Sequence, residues 1–141
     1  MPQAERTVTI QKPVAEVFAF VVNHDNDTQW RPGVLEMRKS GGEGVGERWY
    51  QRVKGPGGRQ IPADIEVTQF EPNRVLAFRT VEGPVRPEGR YEFAEEGGAT
   101  RFTFSLNAEL KGVKKLMSPM VQKQMNAEVG NLDSLKRVLE S

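Results

Sequence analysis

The chain has 141 residues, which is the size of one domain. Its 20 Lys and Arg residues stand against 19 Asp and Glu residues, so the net charge of +1 gives no electrostatic case for a nucleic acid or an anionic membrane as partner. The absence of Cys excludes disulfides and thiol chemistry, and the single His24 excludes zinc sites built on several imidazoles. We therefore expect one domain, 1–141, without a metal or other cofactor.

The first 33 residues predict one strand followed by two short helices. Residues 5–10 alternate polar and β-branched side chains, which favours a strand. Pro13 suits the first position of a helix, and apolar residues over 14–21 then recur at the spacing of one buried stripe. The Asn and Asp residues of 23–27 favour a turn, and a second helical turn is expected over 27–30.

The middle of the chain contains short β-rich runs that are separated by Gly- and Pro-containing turns, the pattern of an antiparallel meander. The six predicted strands are 34–40, 47–54, 59–70, 74–81, 86–95 and 99–109. Together with the strand near the N-terminus, they predict a seven-stranded antiparallel sheet.

The C-terminal segment has the pattern of a long amphipathic helix. Ser118 and Pro119 are expected to be its N-cap and first residue, and apolar side chains then recur every three or four positions up to Leu139. A shorter helical piece is expected over 113–117. The long helix must bury its apolar stripe, and the sheet is the only large surface available to it. The predicted fold class is therefore α+β, with a curved sheet wrapped around the C-terminal helix.

The alternation of side chains along each strand predicts which residues face the helix. This inner face is apolar and aromatic with few polar groups, and the helix adds several methionines. The residues predicted to line a ligand site between sheet and helix are Trp49, Gln51, Phe78, Thr80, Tyr91, Phe93, Phe102, Phe104, Met117, Met120, Val121 and Met125. For any one of them, filling a solid core is the alternative interpretation.

The sequence contains no recognisable catalytic motif. The acidic residues of 25–27 lack the following Gly of a calcium loop and are interpreted as a surface turn, which also makes His24 an unsuitable base for a serine nucleophile. Tyr91 is the one candidate for a catalytic role, as a proton donor or as a group that orients a ligand carbonyl. Glu36 and Arg38 also remain possible inward-facing residues, because the register of their strand is not fixed by the sequence.

Several segments in order along nearly the whole chain carry a family resemblance. They are Thr9–Phe20, Trp30–Val34, Gly44–Trp49, Glu66–Arg74, Gly89–Phe93 and Gly98–Phe104, followed by the closing helix. With these segments the chain resembles the polyketide cyclase/dehydrase group of the START-related (SRPBCC) superfamily, which has the birch-pollen-allergen-like helix-grip fold. The resemblance implies a deep apolar cavity between sheet and helix. Similar proteins bind lipids, hormones, polyketides or other hydrophobic molecules, and some cyclise or dehydrate polyketide chains.

Three functions remain open at this point. The first is binding of a hydrophobic small molecule, lipid-like or polyketide-like, in the cavity. The second is a polyketide cyclase/dehydrase-type enzyme, which a charged group beside Tyr91 would favour. The third is a partner-binding protein with a filled cavity, which a volume well below about 300 Å³ would favour.

The expected cellular location follows from the N-terminal residues and from the length of the apolar runs. There is no apolar signal segment, and the longest apolar run near the start is too short to span a bilayer. We therefore expect a cytoplasmic monomer or homodimer that does not bind nucleic acid and does not insert stably into membranes.

Overall fold

The computed structural model describes residues 2–141, apart from the side chain of Pro56, and these residues form one antiparallel sheet with helices on its inner face. The strands are β1 Gln3–Ile10, β2 Val34–Gly41, β3 Arg48–Lys54, β4 Gln60–Pro62, β5 Ile65–Glu71, β6 Val75–Thr80, β7 Glu88–Glu96 and β8 Ala99–Asn107. They pair in the order β1-β8-β7-β6-β5-β3-β2, and the short β4 pairs with β3 beside this path. The predicted antiparallel sheet is confirmed, and one of its seven predicted strands is divided into β4 and β5.

Among the described residues, four α-helices accompany the sheet: α1 Val14–Val22, α2 Asp27–Trp30, α3 Ser118–Gly130 and α4 Leu132–Glu140. Short 3₁₀ turns lie at His24–Asn26, Pro56–Gly58 and Gly112–Met117. Both short helices after the first strand are therefore present as predicted. Within residues 2–141, every helix is too short or too polar to cross a bilayer.

The C-terminal helices pack across one half of the sheet. Both α3 and α4 contact β1, and α3 also reaches β8, while α1 covers β7 and β8. The centre of the core is aromatic: the Tyr91 ring lies 5.5 Å from Phe78, 5.4 Å from Phe102 and 4.7 Å from Phe104, measured between ring centroids. Offset and edge-on pairs at these distances stabilise a core beyond their buried area. The sheet and helices therefore share one aromatic core.

The predicted long helix is divided into α3 and α4. The division lies at Gly130 and Asn131, where the Asn131 N–H donates to the carbonyl of Glu128 at 3.1 Å, three residues back instead of four. Such a tightened turn is common where a poor helix former such as glycine interrupts an α-helix. At the other end, Ser118 is the first helical residue and makes no capping hydrogen bond, so its predicted N-cap role is wrong. The preceding 3₁₀ turn runs directly into the helix.

The predicted strand 59–70 is also divided, into β4 and β5. Pro62 has no N–H to continue the ladder, and the Ala63 N–H instead donates to the carbonyl of Gln51 at 2.9 Å. The carboxylate of Asp64 accepts from the Gln51 N–H at 3.1 Å, which places a side chain where a backbone carbonyl would otherwise stand. A polar side chain that competes for backbone hydrogen bonds therefore ends one strand and begins another.

Gly89 allows the Phe78 ring to lie flat against β7. The two residues are paired across β6 and β7, and a Cβ atom on Gly89 would lie 2.2 Å from Phe78 Cζ. We expect Gly89→Ala to lower the free energy of unfolding by about 1–3 kcal/mol, because the ring must leave its place in a packed core. Gly41→Ala is the control, since a Cβ there meets nothing within 4 Å. Equal midpoints of urea unfolding for the two variants would contradict this account.

Candidate functional site

A cavity of about 340 Å³ lies between the sheet and α3, and it is partly open to solvent. Its sheet wall comes from β3, β4, β6 and β8, and its helix wall from α3 and the preceding 3₁₀ turn. Two loops, 31–33 and 84–87, complete it. The volume falls at the lower end of the range of small-molecule pockets. The space beneath the helix is therefore not filled by side chains.

The predicted site residues separate into two groups. Those that line the cavity are Gln51, Phe78, Thr80, Phe104, Met117, Met120, Val121 and Met125. Those that lie outside its lining, in the solid part of the core, are Trp49, Tyr91, Phe93 and Phe102. Strand alternation separates the inner face from the outer face, but it does not tell which end of that face is covered by packed side chains and which end is left open. As ligand contacts, all twelve remain predictions.

The two groups differ in what packs against them. The rings of Phe93 and Phe102 lie 5.0 Å apart between centroids, and the ring of Phe18 from α1 lies 5.0 Å from Phe93, so α1 fills this end of the inner face. Trp49 is held by its indole N–H, which donates to the Glu47 carboxylate at 2.6 Å. The cavity end has no such cover from α1. Its lining also includes Pro84 and other residues of a loop, which no periodic pattern in the sequence signals.

Glu36 and Arg38 do not face inward. Both side chains are largely exposed on the outer face of β2, and the Arg38 guanidinium lies 3.9 Å from the ring centroid of Tyr50. Met37, between them, is the residue that packs on the core. The open possibility that either charge enters the cavity is therefore wrong.

A buried charge cluster at the cavity wall was not predicted. We use the name Arg31 cluster for His24, Asp27, Arg31 and Glu128. Arg31 Nη1 donates to Asp27 Oδ2 at 2.8 Å, and its Nε donates to Glu128 Oε1 at 2.7 Å. His24 Nδ1 lies 3.1 Å from Asp27 Oδ2. Arg31 and Glu128 line the cavity, so this cluster joins the segment after α2 to α3 at the site itself.

The positions of His24 and Asp27 correct the predicted surface turn. Their relative exposures are 1% and 0%, because each polar side chain meets a partner inside the fold. One helical turn places Asp27 and Arg31 side by side, but Glu128 is 97 residues away from Arg31 in the chain. Local composition indicates a polar turn, whereas this distant carboxylate makes burial of the arginine possible.

Burial and the neighbouring charges fix the protonation of Arg31. Burial disfavours its charge, but the carboxylates of Glu128 and Asp27 outweigh that effect and raise the pKa of Arg31 above its ordinary value. The guanidinium is therefore charged at all working pH values. Two of its nitrogens are already used in charge-assisted hydrogen bonds within the protein.

Tyr91 lies close to the Arg31 cluster but has a different character. Burial raises the pKa of its phenol well above the ordinary value, and the opposing effect of Arg31 is smaller. Its hydroxyl has no hydrogen-bond partner among the described residues, and the residue does not line the cavity. Charged groups thus do lie near Tyr91, but the phenol is not placed to donate a proton to a molecule in the cavity.

The geometry can be compared with known proteins. A family model described as polyketide cyclase / dehydrase and lipid transport matches residues 1–140. The chain belongs to this family. The resemblance found in the sequence is thereby confirmed. None of the curated proteins matches the chain.

Several solved structures have a fold similar to that of this chain. A protein of Thermus thermophilus has a TM-score of 0.83 at 21% identity, with 99% of this chain and 97% of that chain covered. A START superfamily protein from Mycobacterium smegmatis has a TM-score of 0.81 at 18% identity, with 98% of this chain and 97% of that chain covered. The Zhui aromatase/cyclase from a Streptomyces species has a TM-score of 0.78 at 17% identity, with 98% of this chain and 93% of that chain covered. At these identities the likeness concerns the fold alone, and it confirms the helix-grip architecture.

Removing one carboxylate from the Arg31 cluster tests whether the cluster holds the site together. We expect Asp27→Asn to lower the free energy of unfolding by about 3 kcal/mol, because it leaves a buried guanidinium with one anionic partner. The control is Asp133→Asn, which breaks the exposed 2.7 Å pair with Arg6 and should cost less than about 1 kcal/mol. Urea denaturation measures both. A loss for Asp27→Asn no larger than that of the control would refute the structural role of the cluster.

Tyr91→Phe tests the isolated phenol. The variant loses a buried hydroxyl without a described partner, so its stability at neutral pH should stay within about 1 kcal/mol of the original. Because the pKa of Tyr91 is raised in the folded protein, its phenol ionises above pH about 10 only in the unfolded state. Ionisation then favours the unfolded state, so the free energy of unfolding should fall as the pH rises above about 10. This fall should be smaller for the Phe variant. Parallel alkaline curves for the two proteins would argue against a raised pKa.

Proposed function

We propose that the protein binds a hydrophobic small molecule in the cavity between the sheet and α3. The observation that carries the proposal is the cavity itself, which has a volume of about 340 Å³ and is partly open to solvent. Its sheet wall carries the apolar residues Phe78, Phe104 and Leu106, and its helix wall carries Val121 and Met125. A fold that only needed stability would fill this space, because empty apolar volume is costly.

The size of the cavity supports capture of a small ligand with useful affinity. Covering about 200 Å² of apolar ligand surface at roughly 25 cal/mol/Å² gives about 5 kcal/mol before losses. Because the pocket is already formed, little of this is spent on ordering the protein, which is consistent with micromolar-class binding. A volume at the lower end of the usual range favours a compact ligand over a large lipid with two long chains.

Several polar side chains line the cavity, and those of Arg31, Glu128 and Gln51 make hydrogen bonds within the protein. The Gln51 Nε2 donates to the carbonyl of Ala63 at 2.8 Å, and Arg31 is bonded to Asp27 and Glu128. A carboxylate ligand would therefore meet an arginine whose charge is compensated. A ligand with an apolar body and few charges fits these walls.

The alternative function is a polyketide cyclase/dehydrase-type enzyme that uses the same cavity. The observation that favours it is a charged pair in the wall, Arg31 and Glu128, together with the aromatase/cyclase among the structural neighbours. Glu128 is the one carboxylate among the described lining residues, so it replaces Tyr91 as the candidate for acid–base work. Its carboxylate is committed to Arg31, and simple binding is therefore the better-supported proposal. The cytoplasmic location and the monomeric or homodimeric state remain predictions.

Filling the cavity from the helix side tests the proposed function. We expect Val121→Phe to raise the Kd for the neutral dye Nile red by about ten-fold or more, because the larger ring occupies the binding volume. Val129→Phe is the matched control, since Val129 is a buried valine of the same helix that lies outside the cavity lining. Fluorescence titration measures both variants, and native mass spectrometry of the purified protein looks for a retained small molecule. Equal dye affinities for the two variants would overturn the cavity as the binding site.

A further inference from the structure

Two large apolar side chains are exposed at the entrance of α3. Val113 is 84% exposed and Leu116 is 85% exposed, and no residue of the 3₁₀ turn Gly112–Met117 is buried. Lysines lie on both sides of them in the chain. We call the set Lys111, Val113, Lys114, Lys115 and Leu116 the mouth patch.

The geometry of the turn gives the mouth patch two faces. Side chains three residues apart eclipse one another in a 3₁₀ helix, so Val113 and Leu116 share one face and point to solvent together. Lys114 and Met117 share another, which turns toward the cavity, because Met117 belongs to its lining. The apolar pair therefore stands beside the cavity, facing away from the protein.

Lys114 links the mouth patch to the other side of the opening. Its Nζ donates to the carbonyl of Pro84 at 3.0 Å, and Pro84 and Val85 line the cavity from the β6–β7 loop. Met120, in the first turn of α3, also lines the cavity and is partly exposed. The rim next to the patch is therefore itself apolar.

The local charge of this segment differs from that of the whole chain. Residues 109–120 contain Lys111, Lys114 and Lys115 against one carboxylate, Glu109, which lies 3.5 Å from Lys111 Nζ. The chain as a whole carries only +1. The balance that argued against an anionic membrane is an average over the molecule, and it hides a basic segment at the cavity mouth.

We propose that the mouth patch docks the protein on a lipid surface that contains anionic headgroups. Exposed apolar side chains flanked by lysines match the two components of such an interface, with the apolar pair at the acyl boundary and the cations at the headgroups. Docking in this orientation brings the apolar rim of the cavity to the surface, where a hydrophobic molecule can enter without crossing water. The segment is far too short to span the bilayer, so the contact is peripheral and reversible.

A lipid surface fits the mouth patch better than a protein partner does. A stable protein interface needs about 800 Å² of complementary surface on each side, whereas two neighbouring side chains offer a small fraction of that area. A bilayer needs no matching shape. The proposal does not depend on a ligand in the cavity, and the two can therefore fail separately.

Vesicle flotation tests the docking proposal. The vesicles are pure phosphatidylcholine in one series and equal parts phosphatidylcholine and phosphatidylglycerol in the other. We expect the protein to bind the anionic vesicles more tightly, with binding that weakens as salt is added. The double variant Val113→Ser with Leu116→Ser should lower the partition coefficient by about ten-fold or more. Lys111→Gln with Lys115→Gln should cause a similar loss on anionic vesicles and little change on neutral ones.

A matched control separates the patch from general hydrophobicity. Leu35→Ser with Val45→Ser removes another exposed leucine and valine, from β2 and the following turn, and should leave vesicle binding unchanged. Nile red binding by the Val113 and Leu116 variant should also be unchanged, whereas Val121→Phe should lose the dye and keep the vesicles. The proposal is overturned by equal partition of the patch and control variants, by no binding to either vesicle, or by capture of a soluble acidic protein without vesicle binding.

Discussion

The hydrogen bonds of one buried guanidinium hold the cavity wall in place. Arg31 donates to Asp27 within one helical turn and to Glu128 on the distant α3, so it fixes the C-terminal helix to the segment that follows α2. Burying an arginine is costly unless its charge is compensated, and here two carboxylates compensate it. An ion pair of this kind can hold two segments together beside an open cavity. Apolar side chains would have to fill the cavity in order to stabilise the same contact.

The inner face of the sheet is consequently divided in two. At one end, α1 closes over Phe93 and Phe102, and Tyr91 is surrounded by rings on several sides. At the other end, the same kind of face, with Phe78 and Phe104, meets α3 across an open space. The packed end holds the aromatic centre of the core.

The parts of this structure that depend on local periodicity are predictable from the sequence. The strands of the meander, the short helices and the inward face of Trp49 and Gln51 all follow from side-chain alternation and turn residues. The Arg31 cluster did not follow, because Glu128 is remote in sequence and a carboxylate on a helix ordinarily indicates an exposed position. The boundary between packed core and cavity could not be predicted either, because it depends on which helix covers each end of the sheet. Gly130 is a signal for the division of the C-terminal helix. The apolar stripe continues past it, however, and therefore predicts a single helix.

That division of the helix has a mechanical consequence. The half formed by α4 is fastened to the base of the fold, where Leu132 and Leu135 are fully buried and Lys136 donates to the carbonyl of Thr9 at 2.5 Å. The half formed by α3 covers the cavity, and it is held by the Arg31–Glu128 pair and by its buried side chains Val121, Met125 and Val129. Asn131, at the joint, lines the cavity. The helix that covers the cavity, α3, and the helix packed at the base of the fold, α4, are thus separate, so a movement of α3 at this joint would leave the packing of α4 in place.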